Sequence, residues 1–416
     1  MRGQFIADSD LVDGLSVRYL KLFGLWKVIN DYRTSGKKNK IIKFELAITS
    51  LLVVPYICFQ YLSYFHIDVD IQKATFLNLH SITGVQMFCK MLVFWFRIDS
   101  QSKLYNLVRK DFLDIPLHKR TVAKEIYKNI TKKSNVFCNA AFLVNASIVT
   151  IAIVCPGLPV DYILYHTGNM DAVTTGRKKV LGGWYPFPMA QSPYFEAIFV
   201  YEAVILVIGG IFLGSYVCLF FQVLMCLYAQ FAVLGYHLST LKISPERGDT
   251  RVTENRRDDS KMYKELYGIV KEHRKLLSYA NELRSVYNPL VTMILGMGLL
   301  VLIISVFQFL FGSTGNPMFI FRSLQFVAYQ GIEACMFCFG SSFVETASSD
   351  LQFAIYSSDW YKANVKFRKA AQMMMMRSRK GVTLTAIRMY PVNVETLMAM
   401  LQFTYSVAAL LSRMME

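Results

Sequence analysis

The strongest constraint on the fold of this chain is a set of seven apolar runs, each long enough to cross a lipid bilayer. A helix of about 20 apolar residues spans the hydrocarbon core, which is about 30 Å thick. The runs are continuous rather than alternating, which argues against a membrane-spanning β-barrel. The sequence therefore predicts an all-α membrane protein with seven transmembrane helices. The runs occupy residues 43–63, 71–96, 135–157, 195–228, 287–312, 317–339 and 394–411.

Composition supports the same class. Of the 416 residues, 54% are hydrophobic and only 18% are charged, a balance outside that of ordinary soluble domains. The first twenty residues contain no uninterrupted apolar region followed by a small-residue cleavage site, so no signal peptide is predicted. We expect the first span to act as its own insertion signal.

The net charge of +16 follows the predicted topology. Four alternate segments between the runs (1–40, 97–134, 229–286 and 341–393) hold 37 of the 45 Lys and Arg residues. The longest segment on the opposite side, residues 158–194, holds only three. The positive-inside rule then predicts a cytoplasmic N-terminus and an extracellular C-terminus. The excess charge is explained by topology and contact with anionic lipid, and nucleic acid is not a predicted partner.

The chain is accordingly divided into six predicted segments. They are a cytoplasmic N-terminal segment (1–42), spans one to four with a long outer loop at 158–194 (43–228), a cytoplasmic loop and amphipathic helix (229–286), spans five and six (287–340), a cytoplasmic segment (341–393), and span seven with a short outer tail (394–416). The outer loop is dense in proline and aromatic residues, which is typical of either an ordered cover over a cavity or a plain packed loop.

Catalytic motifs are absent from the sequence. The six histidines are scattered, and there is no H-E-x-x-H, no G-x-S-x-G and no phosphate-binding glycine loop. Cys335 and Cys338 form a C-x-x-C without a second pair, which indicates packing rather than a metal site. We predict no enzymatic activity, no metal and no cofactor. Lys90 lies within span two, where it either snorkels, packs or pairs with another side chain.

The C-terminal half carries several motifs that resemble a known family. CFGSSF at 338–343, AIYSSDWY at 354–361, MMMMRSRKGVTLTA at 373–386 and FTYSVAALLSR at 403–413 resemble, in order and spacing, the end of insect odorant receptors. HLSTL at 237–241 and EHRKLL at 272–277 are similar to the helix before span five in that family. The resemblance covers roughly the last 180 residues, while the first half agrees only in topology.

Two related groups differ from this chain. Insect gustatory receptors end in T-Y-x-x-x-x-x-Q-F, whereas Thr404 and Tyr405 are followed here by Leu411 and Ser412 in the places of Gln and Phe. The shared odorant co-receptor is longer, has an extended second cytoplasmic loop and ends in a sequence like TYFMVLVQLK. The chain therefore resembles a ligand-tuning subunit.

The resemblance implies a ligand-gated, non-selective cation channel in the plasma membrane of olfactory neurons. It implies a hetero-oligomer with the co-receptor, expected to be a tetramer, that detects a small volatile odorant. The alternatives are a seven-helix chemoreceptor that signals through G proteins or another non-channel route, and a gustatory-type channel. A G-protein-coupled receptor would place its N-terminus outside, and no Asp/Glu-Arg-Tyr triplet follows span three.

The resemblance also implies that span seven (394–416 with its tail) is the pore-lining helix and that the cytoplasmic segment 341–393 is part of an anchor. Helical spacing places Leu401, Thr404 or Tyr405, Ala408 and Leu411 on one stripe. By the resemblance, Ala408 occupies the hydrophobic gate position of the co-receptor and Leu411 its polar ring. Both differences imply that this subunit contributes asymmetrically to the pore. The same stripe is also compatible with ordinary helix packing.

Ligand recognition is expected in the outer halves of spans two, three, four and six. Small volatile molecules bind mainly through buried apolar area with few polar contacts. The predicted ligand-binding residues are Ile82, Thr83, Met87, Ile148, Ala152, Phe199, Glu202, Gln325 and Tyr329.

Overall fold

The computed structural model describes residues 35–66, 71–110, 113, 119–154, 180–188, 191–241, 252–311, 317–387 and 389–415. The predicted N-terminal segment therefore lies almost entirely outside the described residues, as does most of the predicted outer loop. The described helices are α1 (Ser35–His66), α2 (Ile71–Phe96), α3 (Ile98–Lys110), α4 (Arg120–Val154), α5 (Tyr194–Ser239), α6 (Val252–Phe311), α7 (Pro317–Tyr356), α8 (Val365–Ser378) and α9 (Val394–Met415).

Seven of these helices are long, and they coincide with the seven apolar runs. They are α1, α2, α4, α5, α6, α7 and α9, with lengths of 32, 26, 35, 46, 60, 40 and 22 residues. Within the described residues, five of them, α2, α4, α5, α6 and α9, are long and apolar enough to cross a membrane. The prediction of an all-α membrane protein with seven transmembrane helices is confirmed. The orientation of the termini stays a prediction.

Four helices extend well beyond the apolar runs, and one of them, α4, begins at Arg120, well before span three. Helix α5 continues past span four to Ser239. The predicted amphipathic helix and span five form the single helix α6, which includes Pro289. Its 60 residues correspond to about 90 Å at 1.5 Å per residue, three times the hydrocarbon thickness. Helix α7 likewise continues from span six to Tyr356, so the first part of the predicted anchor segment belongs to the same helix as the span.

Helix α5 forms the centre of the bundle and packs against both α4 and α7. Its apolar residues surround the whole helix rather than forming one stripe, which is the pattern of a helix buried by neighbours. In its most apolar stretch 67% of the residues are buried, compared with 17% in α4, which faces outward. Gly340 of α7 permits the close approach of the two helices, because a Cβ there would lie 2.9 Å from Leu224 Cδ1.

A short connector segment, residues 357–393, joins α7 to α9. It contains one turn of 3-10 helix (Trp360–Lys362), the helix α8 and an antiparallel pair of two-residue strands, β1 (Thr385–Ala386) and β2 (Tyr390–Pro391). The Arg284 guanidinium of α6 donates to the Thr383 carbonyl at 2.6 and 3.0 Å. The connector thereby fixes where α9 begins, and the Val394 N–H donates to Ser342 Oγ of α7 at 3.0 Å.

Candidate ligand-binding site

A cavity of about 130 Å³ lies inside the bundle among α1, α2, α4, α5 and α7. We call it the ligand cavity. One water-sized group needs roughly 10 to 15 Å³ of such space, so the ligand cavity holds on the order of ten non-hydrogen atoms. Its wall consists of Tyr56, His80, Thr83, Gly84, Met87, Asn145, Ile148, Val149, Ala152, Val180, Leu181, Ile205, Leu206, Gly209, Gly210, Leu213, Arg322, Gln325, Phe326 and Tyr329.

Two adjacent glycines of α5 shape this wall. A Cβ at Gly209 would lie 2.4 Å from Met87 Sδ, and a Cβ at Gly210 would lie 2.4 Å from Val149 Cγ2. Both distances are shorter than van der Waals contact, so a side chain at either position would displace the side chain of Met87 on α2 or Val149 on α4. The glycines thus permit neighbouring helices to pack closely around the cavity.

Most polar side chains in the wall are already hydrogen-bonded to the protein. Thr83 Oγ1 donates to the Leu79 carbonyl at 2.7 Å, and Asn145 Nδ2 donates to the Gly210 carbonyl at 2.7 Å. His80 Nδ1 lies 2.9 Å from the Phe76 carbonyl, which only accepts, so this nitrogen carries the hydrogen. Gln325 Nε2 makes a longer bond, 3.4 Å, to the Ile148 carbonyl. The cavity therefore presents mainly hydrocarbon to a guest.

Residues 180–185 close one end of the ligand cavity, and we call them the cover segment. Val180 and Leu181 are buried and belong to the cavity wall. The buried carboxyl of Glu202 accepts hydrogen bonds from the Leu181 N–H at 2.8 Å and the Tyr185 hydroxyl at 2.9 Å. The described end of the long loop is thus fixed to α5 by a buried acidic residue.

Helix α1 fixes the cover segment from the other side. Gln60 Nε2 donates to the Leu181 carbonyl at 3.3 Å, and the Trp184 N–H donates to Ser63 Oγ at 2.7 Å. The rings of His66 and Trp184 stack with centroids 3.9 Å apart. These contacts hold the cover segment between α1 and α5, which agrees with an ordered cover rather than a slack loop.

A buried ion pair lies on α2 and α7, about one helical turn from cavity residues. Lys90 Nζ contacts Glu333 Oε1, and neither side chain is exposed to solvent. Gln86 Nε2 and Gln330 Nε2 donate to Glu333 Oε2 at 3.1 and 3.4 Å. These amides add donors to the carboxylate, as a buried charge pair requires if it is to compensate for lost hydration. Lys90 therefore pairs within the protein rather than snorkelling.

Six of the nine predicted ligand-binding residues line the cavity: Thr83, Met87, Ile148, Ala152, Gln325 and Tyr329. The other three, Ile82, Phe199 and Glu202, lie outside the wall. Ile82 directly precedes Thr83 on α2, so it lies on a different face of the helix and outside the cavity wall. Phe199 packs in a separate apolar cluster with Tyr56, Val180 and Leu181, and Glu202 binds the cover segment.

Several wall residues were missed from sequence. On α2, His80, Thr83, Gly84 and Met87 follow i, i+3, i+4 and i+7 spacing. On α7, Arg322, Gln325, Phe326 and Tyr329 follow the same spacing. Extending each face from its predicted members would have found His80, Gly84, Arg322 and Phe326. The contribution of α1 and of the cover segment carried no periodic signal.

The predicted pore stripe is divided between two faces of α9. Thr404 and Ala408 are buried against the protein, each with 6% of its surface exposed. Leu401 and Tyr405 are 48% and 75% exposed, and Leu411 is half-buried. The division arises because α9 packs along α6 and α7, so that one face of the helix is covered and the other is open.

The seven long helices define the class of protein, a seven-helix membrane protein, and a largely apolar cavity lies between them. In the described parts of the chain, no three His, Cys, Asp or Glu residues are grouped to hold a metal ion. A family model described as 7tm Odorant receptor matches residues 75–405. The chain belongs to this odorant receptor family, a family of receptors rather than enzymes, and the resemblance found in its motifs is confirmed.

Curated relatives are similar at low identity. Odorant receptor 24a of Drosophila melanogaster is 24% identical over 381 residues, which cover 87% of each chain. Odorant receptor 82a of Drosophila melanogaster is 24% identical over 206 residues, or 49% of each chain. Odorant receptor 22b of the same species is 22% identical over 191 residues. The alignments with Odorant receptors 82a and 22b thus span about half the length of those relatives.

Solved structures share the fold. The insect olfactory receptor OR5 from Machilis hrabei in complex with eugenol matches with a TM-score of 0.77, 98% of this chain and 100% of that chain being covered at 16% identity. A second structure of the same receptor gives a TM-score of 0.75 at 15% identity. At these identities the likeness concerns the fold alone.

Proposed function

We propose that this chain is the odorant-binding subunit of a ligand-gated, non-selective cation channel. In this proposal it assembles with an odorant receptor co-receptor, as a tetramer, in the plasma membrane of olfactory neurons. The single observation that carries the proposal is the largely apolar ligand cavity of about 130 Å³ in a chain of the odorant receptor family. The charge distribution supports a cytoplasmic N-terminus and an extracellular C-terminus.

The ligand is a small volatile molecule of about ten non-hydrogen atoms. Burial of each CH₂ group contributes about 0.8 kcal/mol, so ten such groups give about 8 kcal/mol before the costs of immobilisation. This corresponds to micromolar or weaker affinity. Among structures of this fold, that of OR5 is in complex with eugenol, which supports the assignment of a small organic ligand.

The six predicted residues in the wall are the proposed ligand contacts. Phe199 and Glu202 act indirectly, since they pack against or bind the cover segment that closes the cavity. Ile82 lies behind Thr83 and contributes to helix packing. Variation at the six wall positions should therefore change which volatile is preferred, whereas variation at Glu202 should affect responses to all ligands together.

Helix α9 is the proposed pore helix. Its open face carries Leu401 and Tyr405, which are free in the single chain to line a pore or contact a neighbouring subunit. Hydrophobic constrictions of this kind gate by dewetting. Thr404 and Ala408 hold the helix to α6 and α7, and the half-buried Leu411 lies near its end.

Whole-cell recording tests this proposal. The chain is expressed with and without an insect odorant co-receptor and challenged with a panel of volatiles while G-protein signalling is blocked. We expect a rapid cation current that requires both chains. Surface labelling of both subunits accompanies each recording.

Two results would contradict the proposal. Surface-delivered complexes that bind volatiles and pass no current would indicate a non-channel receptor. A full current from this chain alone would show that it is a self-sufficient channel rather than a tuning subunit.

A further inference from the structure

A second, smaller cavity lies between the ligand cavity and the buried ion pair, and we call it the annex. It has a volume of about 20 Å³, room for one water-sized group. Asn145, Ile148 and Tyr329 belong to the walls of both cavities, so the two cavities are adjacent. The annex is also lined by the Glu333 side chain. A guest in the ligand cavity therefore has a charged polar site within reach.

The Tyr329 hydroxyl stands at this boundary beside the Glu333 carboxylate. Its oxygen is sealed from solvent and forms no hydrogen bond of normal geometry. Glu333 is the charged group that interacts with it, and Lys90 Nζ lies 6.0 Å from the centre of its ring. A buried hydroxyl oxygen whose lone pairs accept no hydrogen bond is unfavourable, so a guest that donates to it is favoured.

The neighbouring carboxylate determines what kind of guest that is. A carboxylate only accepts hydrogen bonds, so the phenolic O–H is drawn toward Glu333 and the lone pairs of the tyrosine oxygen are left for a guest. A guest must then donate a hydrogen bond, either to this oxygen or to the carboxylate. An ether, ester or ketone presents only acceptors and gains nothing here.

We propose that the annex is a polar subsite for the hydroxyl group of an alcohol or phenol whose apolar part fills the ligand cavity. The inference rests on the proposed function and names the ligand class for it. One hydroxyl oxygen is the size of the single water-sized group for which the annex has room. The rest of the wall favours any guest with enough apolar area. Selectivity between volatiles of similar shape is therefore assigned to this subsite.

Isomeric pairs of volatiles test the subsite in cells expressing this chain with the co-receptor. One pair is octanol and methyl heptyl ether, and another is para-ethylphenol and para-methylanisole. In each pair the carbon, hydrogen and oxygen content is the same, and only the hydroxyl donor is lost. For each variant, the half-maximal concentration of the ether is divided by that of the alcohol. This ratio is then compared with the ratio of the wild type, so that the different membrane partitioning of the two compounds cancels.

We expect Tyr329→Phe to lower this ratio by roughly fivefold to tenfold, the value of one hydrogen bond. Thr150→Val is the matched control, since it removes a hydroxyl on the exposed face of α4, outside the wall, that already donates to the Ala146 carbonyl at 2.9 Å. Its ratio should equal that of the wild type. Ala141→Val fills the annex from α4 and leaves Tyr329 intact, so it should reproduce the effect of Tyr329→Phe even where that variant fails to reach the surface.

Other outcomes distinguish the inference from the proposed function. A ratio that is unchanged in both Tyr329→Phe and Ala141→Val would show that the annex holds a structural water only, and the inference would be overturned while the channel proposal stood. A ratio lowered equally by Thr150→Val would indicate a general effect of removing a hydroxyl from the helix bundle and overturn it as well. Absence of any current from surface-delivered complexes would overturn the proposed function and with it the subsite.

Discussion

The stability of the buried Lys90 charge depends on its partner, Glu333. Removing one member of a fully buried ion pair leaves the other charge without compensation, at a cost of about 3 to 5 kcal/mol, whereas replacing both with apolar groups is often neutral. The sequence left the partner of Lys90 undetermined, since Glu333 lies 243 residues away. The pairing requires α2 and α7 to be adjacent, and no local pattern predicts that.

We therefore expect Lys90→Met to lower the free energy of unfolding by about 3 to 5 kcal/mol. The double variant Lys90→Met with Glu333→Leu should recover most of this loss. Thermal unfolding of the purified protein in detergent measures both.

The exposed pair Lys103–Glu282 serves as the control. Its atoms are 2.9 Å apart and its side chains are 49% and 38% exposed. Lys103→Met should cost less than about 1 kcal/mol. Equal losses at Lys90 and Lys103 would contradict the compensation argument.

Glu202 is the second buried acidic residue with a defined task. Glu202→Ala removes the acceptor for both the Leu181 N–H and the Tyr185 hydroxyl, and each orphaned donor costs about 1 to 3 kcal/mol. We expect loosening of the cover segment, detected as faster proteolysis and hydrogen exchange within residues 180–188. Glu196→Ala, an exposed position on the same helix, should leave both rates unchanged.

At the scale of elements, the two faces of α9 differ. Cysteine introduced at Leu401 or Tyr405 should react rapidly with a membrane-permeant thiol reagent and change the odorant-evoked current. Cysteine at Thr404 or Ala408 should react slowly, because these positions face α6 and α7. The background carries Cys58→Ala, since Cys58 is exposed. Fast modification at Ala408 would show that α9 rotates in the assembled channel.

The stability of the folded chain should depend on pH through His273 of α6, which lies near Arg377 of α8. Burial, with a contribution from the Arg377 guanidinium, lowers the pKa of His273 from 6.5 to about 4. As pH falls below 6.5 the unfolded chain binds a proton at this position and the folded chain does not. The stability is thus fully present above pH 6.5 and is lost progressively down to about pH 4, by about 3 kcal/mol at most.

Thermal unfolding measured between these pH values tests this expectation. His273→Gln should flatten the pH dependence in that window. Arg377→Gln removes part of what lowers the pKa of His273 in the folded chain. The pH range over which stability is lost should therefore become narrower at its acid end. A His273→Gln profile parallel to that of the wild type would mean that other groups produce the acid sensitivity.

The existence of the seven helices could be predicted from sequence because continuous apolar length is a local property. Their ends could not. The amphipathic helix and span five were predicted as separate elements that meet near Pro289, yet α6 continues through this proline because the surrounding helices support it. The wall residues on α2 and α7 follow from helical period. The cover segment and the second face of α9 depend on tertiary packing.

At the scale of the whole molecule, the size of the ligand cavity limits the ligand. Ala152→Leu adds three carbon atoms to the wall, so in a homologous series of alcohols the most potent member should become shorter by about two or three carbons. Concentration–response curves of the current measure this shift. Ile151→Leu, at an outward-facing position on the same helix, should leave the preferred length unchanged. A shift with both variants would place the effect in α4 as a whole rather than in the wall.

Helix α7 is one continuous helix that connects the ligand cavity with the proposed pore helix α9. Tyr329 borders the ligand cavity, and Ser342 accepts a hydrogen bond from the first residue of α9. The chain between them corresponds to about 20 Å of helix, with no proline inside. Mechanically this is a lever: a tilt of about 5° over that length moves the far end by about 2 Å, a shift of the size by which packed helices switch. In this proposal the stiffness of α7, rather than a series of side-chain contacts, determines how much of a small displacement at the ligand cavity is transmitted to the proposed pore helix.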